Sequence, residues 1–314
     1  MTEPTAHDPQ HVADVLETGL DLLRYAVSRF HAAELHFGHG TDNALDEARL
    51  LVAHAIDLPL DTPDLLFQAR LLPSERLRVL ALIEERIERR CPAPYLTGEA
   101  WFAGLPFQVD ERVIVPRSPV AELIETGFAP WVEAPEQVSA VLDMCTGSGC
   151  IAIACAYAFP NAQVDALDLS EDALEVATAN VLAHDLSARV RVLQSNLFAA
   201  LGDERYQLIV CNPPYVGAEE LRELPEEYAA EPSMALAGGE DGLMLVEQIL
   251  RQAARHLTSD GVLVLELGNS APTAIDRWPE LPFTWLEFER GGHGVCLLRE
   301  PELRHFADAS PGVH

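Results

Sequence analysis

The residues best placed to do chemistry stand in two short segments, Asp143-Met-Cys145-Thr146-Gly147-Ser148-Gly149 and Asn212-Pro213-Pro214-Tyr215. The first follows an apolar run and precedes another. Gly147 and Gly149 let backbone approach a ligand closely, and a helix starting at Cys150 would present N–H groups without partners of their own. Gly147-Ser-Gly149-Cys-Ile-Ala152 satisfies the G-x-G-x-x-G/A fingerprint, and Asp168 stands 21 residues after Gly147, placed to hold ribose hydroxyls. A nicotinamide oxidoreductase and a nucleoside-binding methyltransferase both fit this much.

The second segment ends the apolar run Leu208-Ile-Val-Cys211. Two prolines fix φ and lack N–H donors, so the carbonyls of Asn212 and Pro213 are rigid acceptors. An sp² amino nitrogen, in an amide or an exocyclic base amine, is a poor nucleophile because its lone pair is delocalised. Two acceptors gripping its N–H groups would align it with an electrophile, and Tyr215 would stack on its planar face. A sulfonium methyl is such an electrophile. Transfer removes the sulfonium charge as the amide nitrogen becomes positive, and the acceptors matter most at that moment. The N-methylamide proton then leaves to water, so no general base is nominated.

These segments need a sheet to carry them. Beyond Ser118 apolar strands and helices alternate: strands over 138–144, 163–169, 189–194, 206–211 and 261–267, helices over 150–159, 172–184 and 243–257. This order predicts an α/β fold with a parallel sheet and helices on both faces. Runs 283–288 and 295–299, with Gly291–Gly294 between them, read as a terminal antiparallel pair. Upstream, residues 1–94 read as a helical domain with apolar residues at helical spacing, ended by Pro92 and Pro94. Residues 95–116 read as a hairpin linker turning at Gly104–Pro106, residues 117–302 as the catalytic domain and 303–314 as a loose tail.

Charge narrows the partners. Of 314 residues, 50 are acidic and 21 basic, for a net charge of −29, which argues against free nucleic acid as a main partner because phosphate binding draws on cationic side chains. Every basic residue is Arg; without Lys there is no Schiff base and no phosphate-loop lysine. The Met1–Gln10 stretch lacks the basic and apolar regions of a signal peptide, and no apolar run suits a membrane span. The six cysteines form no C-x-x-C pair and suit reduced, buried thiols, so the cytoplasm is the expected compartment. Between Glu219 and Asp241, eight carboxylates face Arg222 alone, an acidic rim suited to a basic partner.

Other conspicuous residues receive bland assignments. His31, His36 and His39 are expected to face solvent rather than bind metal. Cys145, Cys150 and Cys155 are read as packing, Trp101 and Phe102 as hairpin core, and His293 as a turn residue.

Asp143-x-Cys-Thr-Gly-Ser-Gly149, Asp168 and Asn212-Pro-Pro-Tyr215, with Tyr95-Leu-Thr-Gly98 and Glu231–Gly242, resemble the HemK-type protein glutamine methyltransferases over nearly the whole chain. The resemblance implies a class I, Rossmann-like methyltransferase domain with a seven-stranded, mostly parallel sheet, a small all-helical N-terminal domain and a linking hairpin. It implies S-adenosyl-L-methionine as cofactor. Asp143, Cys145, Thr146, Gly147, Ser148 and Gly149 would form the turn around its amino-acid end, and Asp168 would take its ribose. Asn196, where relatives usually carry Asp, would border the adenine. Asn212 would border the cofactor as well and grip the substrate amide through its side-chain oxygen, and Pro213 would grip it through its backbone oxygen, with Pro214 and Tyr215 bounding the slot. Pro116-Arg-Ser118-Pro-Val-Ala121 and Cys145 match the branch that modifies large-subunit ribosomal protein L-three rather than the release-factor branch. The implied partner is that basic protein before ribosome assembly; adenine methylation is the rival that shares the Asn-Pro-Pro-Tyr grip.

Overall fold

The computed structural model describes residues 8–309, so the first residues of the Met1–Gln10 stretch and the end of the expected tail lie outside the described residues. The chain divides into two compact units, residues 1–99 with 225–230, and residues 100–224 with 231–314.

The first unit is helical: α1 (Pro9–Val15), α2 (Gly19–Ala32), α3 (Ala44–Ala55), α4 (Asp64–Phe67), α5 (Pro73–Arg89) and α6 (Ala93–Thr97). Thr18 and Asp21 cap α2 reciprocally, and Asn43 accepts from the Leu45 and Asp46 N–H groups to start α3. Leu22, Ala26 and Phe30 of α2 share a core with Leu51 and Val52 of α3 and Leu80 and Ile83 of α5. Arg86, buried among them, donates to Glu47 at 2.5 Å, and Glu47 also accepts from Thr41 at 2.8 Å. The segment 225–230 joins this unit through Glu227, which accepts from the His36 N–H at 3.0 Å and from Arg90 at 3.1 Å. That segment also corrects the histidine expectation. His31 is exposed and His36 half-buried, but His39 is buried with its ring 4.5 Å from that of Tyr228. A covering residue 189 positions away in the chain leaves no trace in local periodicity.

A hairpin follows, β1 (Glu99–Phe102) and β2 (Leu105–Gln108), turning at Ala103 and Gly104 with φ of +47° and +74°. Such positive φ values give a two-residue turn the twist of its strands. The hairpin is shorter than 95–116: Ala93–Thr97 is helical, and the stretch after Gln108 is irregular. Side chains alternate across a strand, so Phe102 is buried while Trp101 is 49% exposed, and only one of the two is core.

The rest of the second unit runs α7 (Val120–Glu125), β3 (Ala140–Met144), α8 (Cys150–Ala158), β4 (Gln163–Asp168), α9 (Glu171–Ala183), β5 (Val190–Gln194), β6 (Tyr206–Cys211), α10 (Glu220–Glu223), α11 (Ser233–Leu236), α12 (Met244–His256), β7 (Leu257–Glu266), α13 (Ala271–Arg277), β8 (Thr284–Trp285), β9 (Val295–Arg299) and α14 (Glu300–Ala309). Seven strands form one sheet in the order β5-β4-β3-β6-β7-β9-β8. Neighbours from β5 to β7 are parallel, and β9 is antiparallel to both β7 and β8. The strands read as continuous apolar runs because both faces are buried. Val141, Val164 and Val210 pack with α8 on one face; Leu142, Leu167 and Ile209 pack with α12 and α14 on the other.

The loose tail is corrected by α14, whose Leu303 and Phe306 are buried beside Trp278. Two apolar residues in a charged stretch were too faint a pattern to read as a helix. The strand order changes direction between β3 and β6, and open α/β sheets bind ligands outside the carboxyl ends of their strands at such a point.

Candidate active site

β3 delivers the glycine turn to that edge. Cys145, Gly147 and Gly149 take φ of +60°, +54° and +80°, so the chain reverses within five residues before α8 begins. The Thr146 N–H donates to the Leu167 carbonyl at 2.9 Å, pinning the turn to β4. Gly147 is left open: a Cβ there would meet nothing within 4 Å, whereas one at Gly149 would press on Ala177 at 3.3 Å.

Asp168 ends β4. Its Oδ2 accepts from the Gly147 N–H at 2.9 Å and its Oδ1 from the Ser170 N–H at 3.0 Å. Asp143 lies beneath the turn, where Oδ2 accepts from the Thr146 hydroxyl at 2.5 Å and the Ala152 N–H at 3.0 Å. Its Oδ1 has no donor among the described residues. Burial pushes the Asp143 carboxyl up to about 7, against those two donors, so the group carries a proton over much of the acidic range.

These edges enclose a cavity of about 810 Å³, its open mouth included. Of the residues expected at the site, Cys145, Gly147, Asp168, Asn196, Asn212 and Pro214 line it. Asp143, Thr146, Ser148, Gly149, Pro213 and Tyr215 do not; the first four brace the turn from behind. Asn180 shows how, donating from Nδ2 to the Ser148 carbonyl at 2.8 Å. Asn196 is exposed at the rim, next to the buried Leu197. Cys145 is therefore more than packing, while Cys150 and Cys155 stay in the core.

The Asn-Pro-Pro-Tyr corner is held by neighbours that the sequence left unassigned. Val216 forms a bridge to Ala237, and the Gly238 N–H donates to the Val216 carbonyl at 2.9 Å. Gly242 sits so close that a Cβ would fall 2.2 Å from the Tyr215 carbonyl and 2.1 Å from Ser270 Oγ. Ser270 Oγ donates to that same carbonyl at 2.7 Å. The Tyr215 ring packs on Gly268, and its hydroxyl donates to Glu266 at 3.0 Å. Glu266 was missed. The available signal was one carboxylate closing the apolar run Val262–Leu265, at the sheet edge that carries Asp168 and Asn212. Ser118 also reaches it, donating at 2.5 Å. Burial raises the Glu266 carboxyl, and these donors pull it back.

The eight carboxylates of 219–241 do not form one rim. Glu227 and Glu231 are buried, Glu231 accepting from the Val115 N–H at 3.0 Å and from Arg117 at 2.7 Å. Asp241 pairs with Arg277, and Glu220 accepts from Asn269. Glu219, Glu223, Glu226 and Glu240 are the exposed remainder, and Glu226 stands 3.4 Å from Arg90.

Known proteins decide between the chemistries this geometry allows. The methyltransferase small domain family matches residues 131–229. A ribosomal protein uL3 glutamine methyltransferase of Bordetella pertussis is 54% identical over 288 residues, 92% of this chain and 97% of the relative. Its counterpart in Xanthomonas campestris pv. campestris is 51% identical over 291 residues, 93% and 94% of the two chains. The chain belongs to the HemK-type protein glutamine methyltransferases. Among solved structures, a methyltransferase from Pyrococcus furiosus aligns with a TM-score of 0.46 at 18% identity, covering 63% of this chain and 89% of its own.

As a HemK-type methyltransferase the chain has the class I, Rossmann-like fold expected, and the nicotinamide reading of the glycine turn is closed. Among the described residues no helix is long and apolar enough to cross a membrane, and no group of His, Cys, Asp and Glu is arranged to hold a metal.

Proposed function

We propose that this chain transfers a methyl group from S-adenosyl-L-methionine to the side-chain amide nitrogen of a glutamine in ribosomal protein uL3. The observation that carries the reading is one cavity lined at once by the glycine turn, Asp168 and Asn212. The substrate follows the relatives, which are named for it.

The cavity wall fits the cofactor. The open side of Gly147 leaves room beside Cys145 for its amino-acid end, Asp168 offers carboxylate oxygens to ribose hydroxyls, and Asn196 with Leu197 would border adenine. When bound, the cofactor supplies a methyl electrophile on a positively charged sulfur. Asn212 Oδ1 and the Pro213 carbonyl would each accept one N–H of the glutamine amide, fixing the nitrogen's lone pair toward that methyl. The acceptors strengthen as the nitrogen gains positive charge, which lowers the barrier more than it tightens ground-state binding. Tyr215, which does not line the cavity, would act from behind it, its hydroxyl on Glu266 anchoring the corner that carries Asn212. The chain's strong acidity favours free basic uL3 in the cytoplasm, before ribosomal RNA covers it.

Asn212→Ala tests the assignment. Methyl transfer to purified uL3 should fall on the order of 100- to 1000-fold, the scale for losing one positioned group that acts on developing charge. Calorimetry should show cofactor affinity kept within about threefold, since the ribose and turn contacts stay. Undiminished transfer by the variant would remove Asn212 from the mechanism.

A further inference from the structure

Met234 is a long apolar side chain left 53% exposed at the wall of the same cavity that Asn212 and Pro214 line. It stands on α11, a single turn with both ends pinned. Before it, the buried Glu231 accepts from the Val115 N–H at 3.0 Å and from Arg117 at 2.7 Å. After it, the Leu236 carbonyl accepts from the Val216 N–H at 2.9 Å and Ala237 bridges to Val216. Gly238 lies so near the corner that a Cβ there would fall 2.8 Å from the Pro214 carbonyl. Met234 is thus presented to the cavity from a base fixed against the Asn-Pro-Pro-Tyr corner.

The sheet order shows which end of the cavity this is. β6 is three strands from β5 in the order β5-β4-β3-β6, a span of about 14 Å at the usual strand spacing. Asn196 and Leu197 follow β5, so the adenine border lies at the far end, and Met234 stands at the end where Asn212 would grip the substrate amide. Pro214, Pro232 and Ala235 continue the apolar wall there.

A glutamine carries its amide on two methylenes, which form no hydrogen bonds and gain by leaving water. We infer that Met234 is a specificity-determining residue: it covers the methylenes of the glutamine whose amide sits at Asn212 and gauges their number. The inference rests on the methyl-transfer reading and deepens it. Acceptors at Asn212 and Pro213 meet the same carboxamide on glutamine and on asparagine, so the amide grip alone does not choose between them. With Met234 standing between that grip and solvent, an asparagine, one methylene shorter, falls short of Asn212 while its backbone stays outside. An unbranched, flexible thioether suits a stem that must slide in and out.

The test measures kcat and KM for wild type, Met234→Ala and Met234→Leu on purified uL3 and on uL3 with its acceptor glutamine changed to asparagine, with calorimetry of S-adenosyl-L-methionine binding. Met234→Ala should lower kcat/KM on uL3 on the order of tenfold, mostly through KM, the scale of two methylenes returned to water. Cofactor affinity should hold within about threefold. The preference for glutamine over asparagine should narrow by about tenfold or more, because the vacated space lets the backbone of the shorter residue move in. Met234→Leu restores the apolar cover and should return both values to within about threefold of wild type. Unchanged KM and preference in Met234→Ala, a Met234→Leu no better than Met234→Ala, or a loss of cofactor affinity equal to the loss in kcat/KM overturns the inference, while wild-type turnover keeps the substrate reading intact. Wild-type protein that binds cofactor but leaves every glutamine of uL3 unmodified overturns both.

Discussion

At the scale of single residues, Asp143 and Asp168 show how position separates two carboxylates on adjacent strands. Asp168 ends its strand on the cavity, its oxygens accepting from the Gly147 and Ser170 N–H groups; Asp143 is roofed by the turn it braces. With Asp143 pushed from the usual 3.8 up to about 7 by burial, the folded chain holds a proton between those values that the unfolded chain has released. Stability from this group is therefore greatest at low pH and is lost as pH rises from about 4 to about 7. Asp143→Asn keeps an acceptor for Thr146 and Ala152 and has no proton to lose. Its urea midpoint relative to wild type should climb across that window, and a constant difference between the two proteins would contradict a neutral Asp143. Residue types made Gly147, Asp168 and Asn212 legible, because few structural needs ask for Gly-x-Gly or Asn-Pro-Pro-Tyr after an apolar strand; Cys145, read from spacing as packing, was placed at the turn by the resemblance alone. Glu266 was not legible: a lone acidic residue ending a strand reads as a solvated terminus until the fold packs Ser118 and Tyr215 against it.

At the scale of elements, the sheet was legible from alternating strand and helix periods, and its boundaries fell within a few residues of β3 to β7. The hairpin was legible in place, though shorter than expected, whereas α14 and the divided acidic stretch were not. Each depends on partners far away in the chain, such as Trp278 against Phe306, or Arg117 against Glu231. The same long-range logic governs the Asn-Pro-Pro-Tyr corner, which β6 presents but the Gly238–Gly242 loop and Ser270 hold in place. Gly242 has φ of +80° and no room for a Cβ beside Ser270 and the Tyr215 carbonyl. Gly242→Ala should cost ~1–3 kcal/mol of stability from strain and crowding, and transfer should fall further than cofactor affinity because the corner, not the turn, is displaced. Equal losses in both, measured by calorimetry and turnover, would place the strain elsewhere.

At the scale of the whole molecule, a net charge of −29 has the sign that would favour a basic protein chain over a phosphate backbone, in keeping with the proposed substrate. Under the proposed function the partner is uL3 before it meets ribosomal RNA. The charge also sets the amide reading against the adenine reading, since both use the same proline-stiffened corner and differ in the macromolecule that brings the nitrogen. The most direct measurement is tandem mass spectrometry of free uL3, intact large ribosomal subunits and bare ribosomal RNA, each incubated with the enzyme and isotopically labelled S-adenosyl-L-methionine. The account predicts one labelled methyl on a glutamine side chain of free uL3, little on assembled subunits and none on RNA. Label on adenine, or on a uL3 residue other than glutamine, would contradict it.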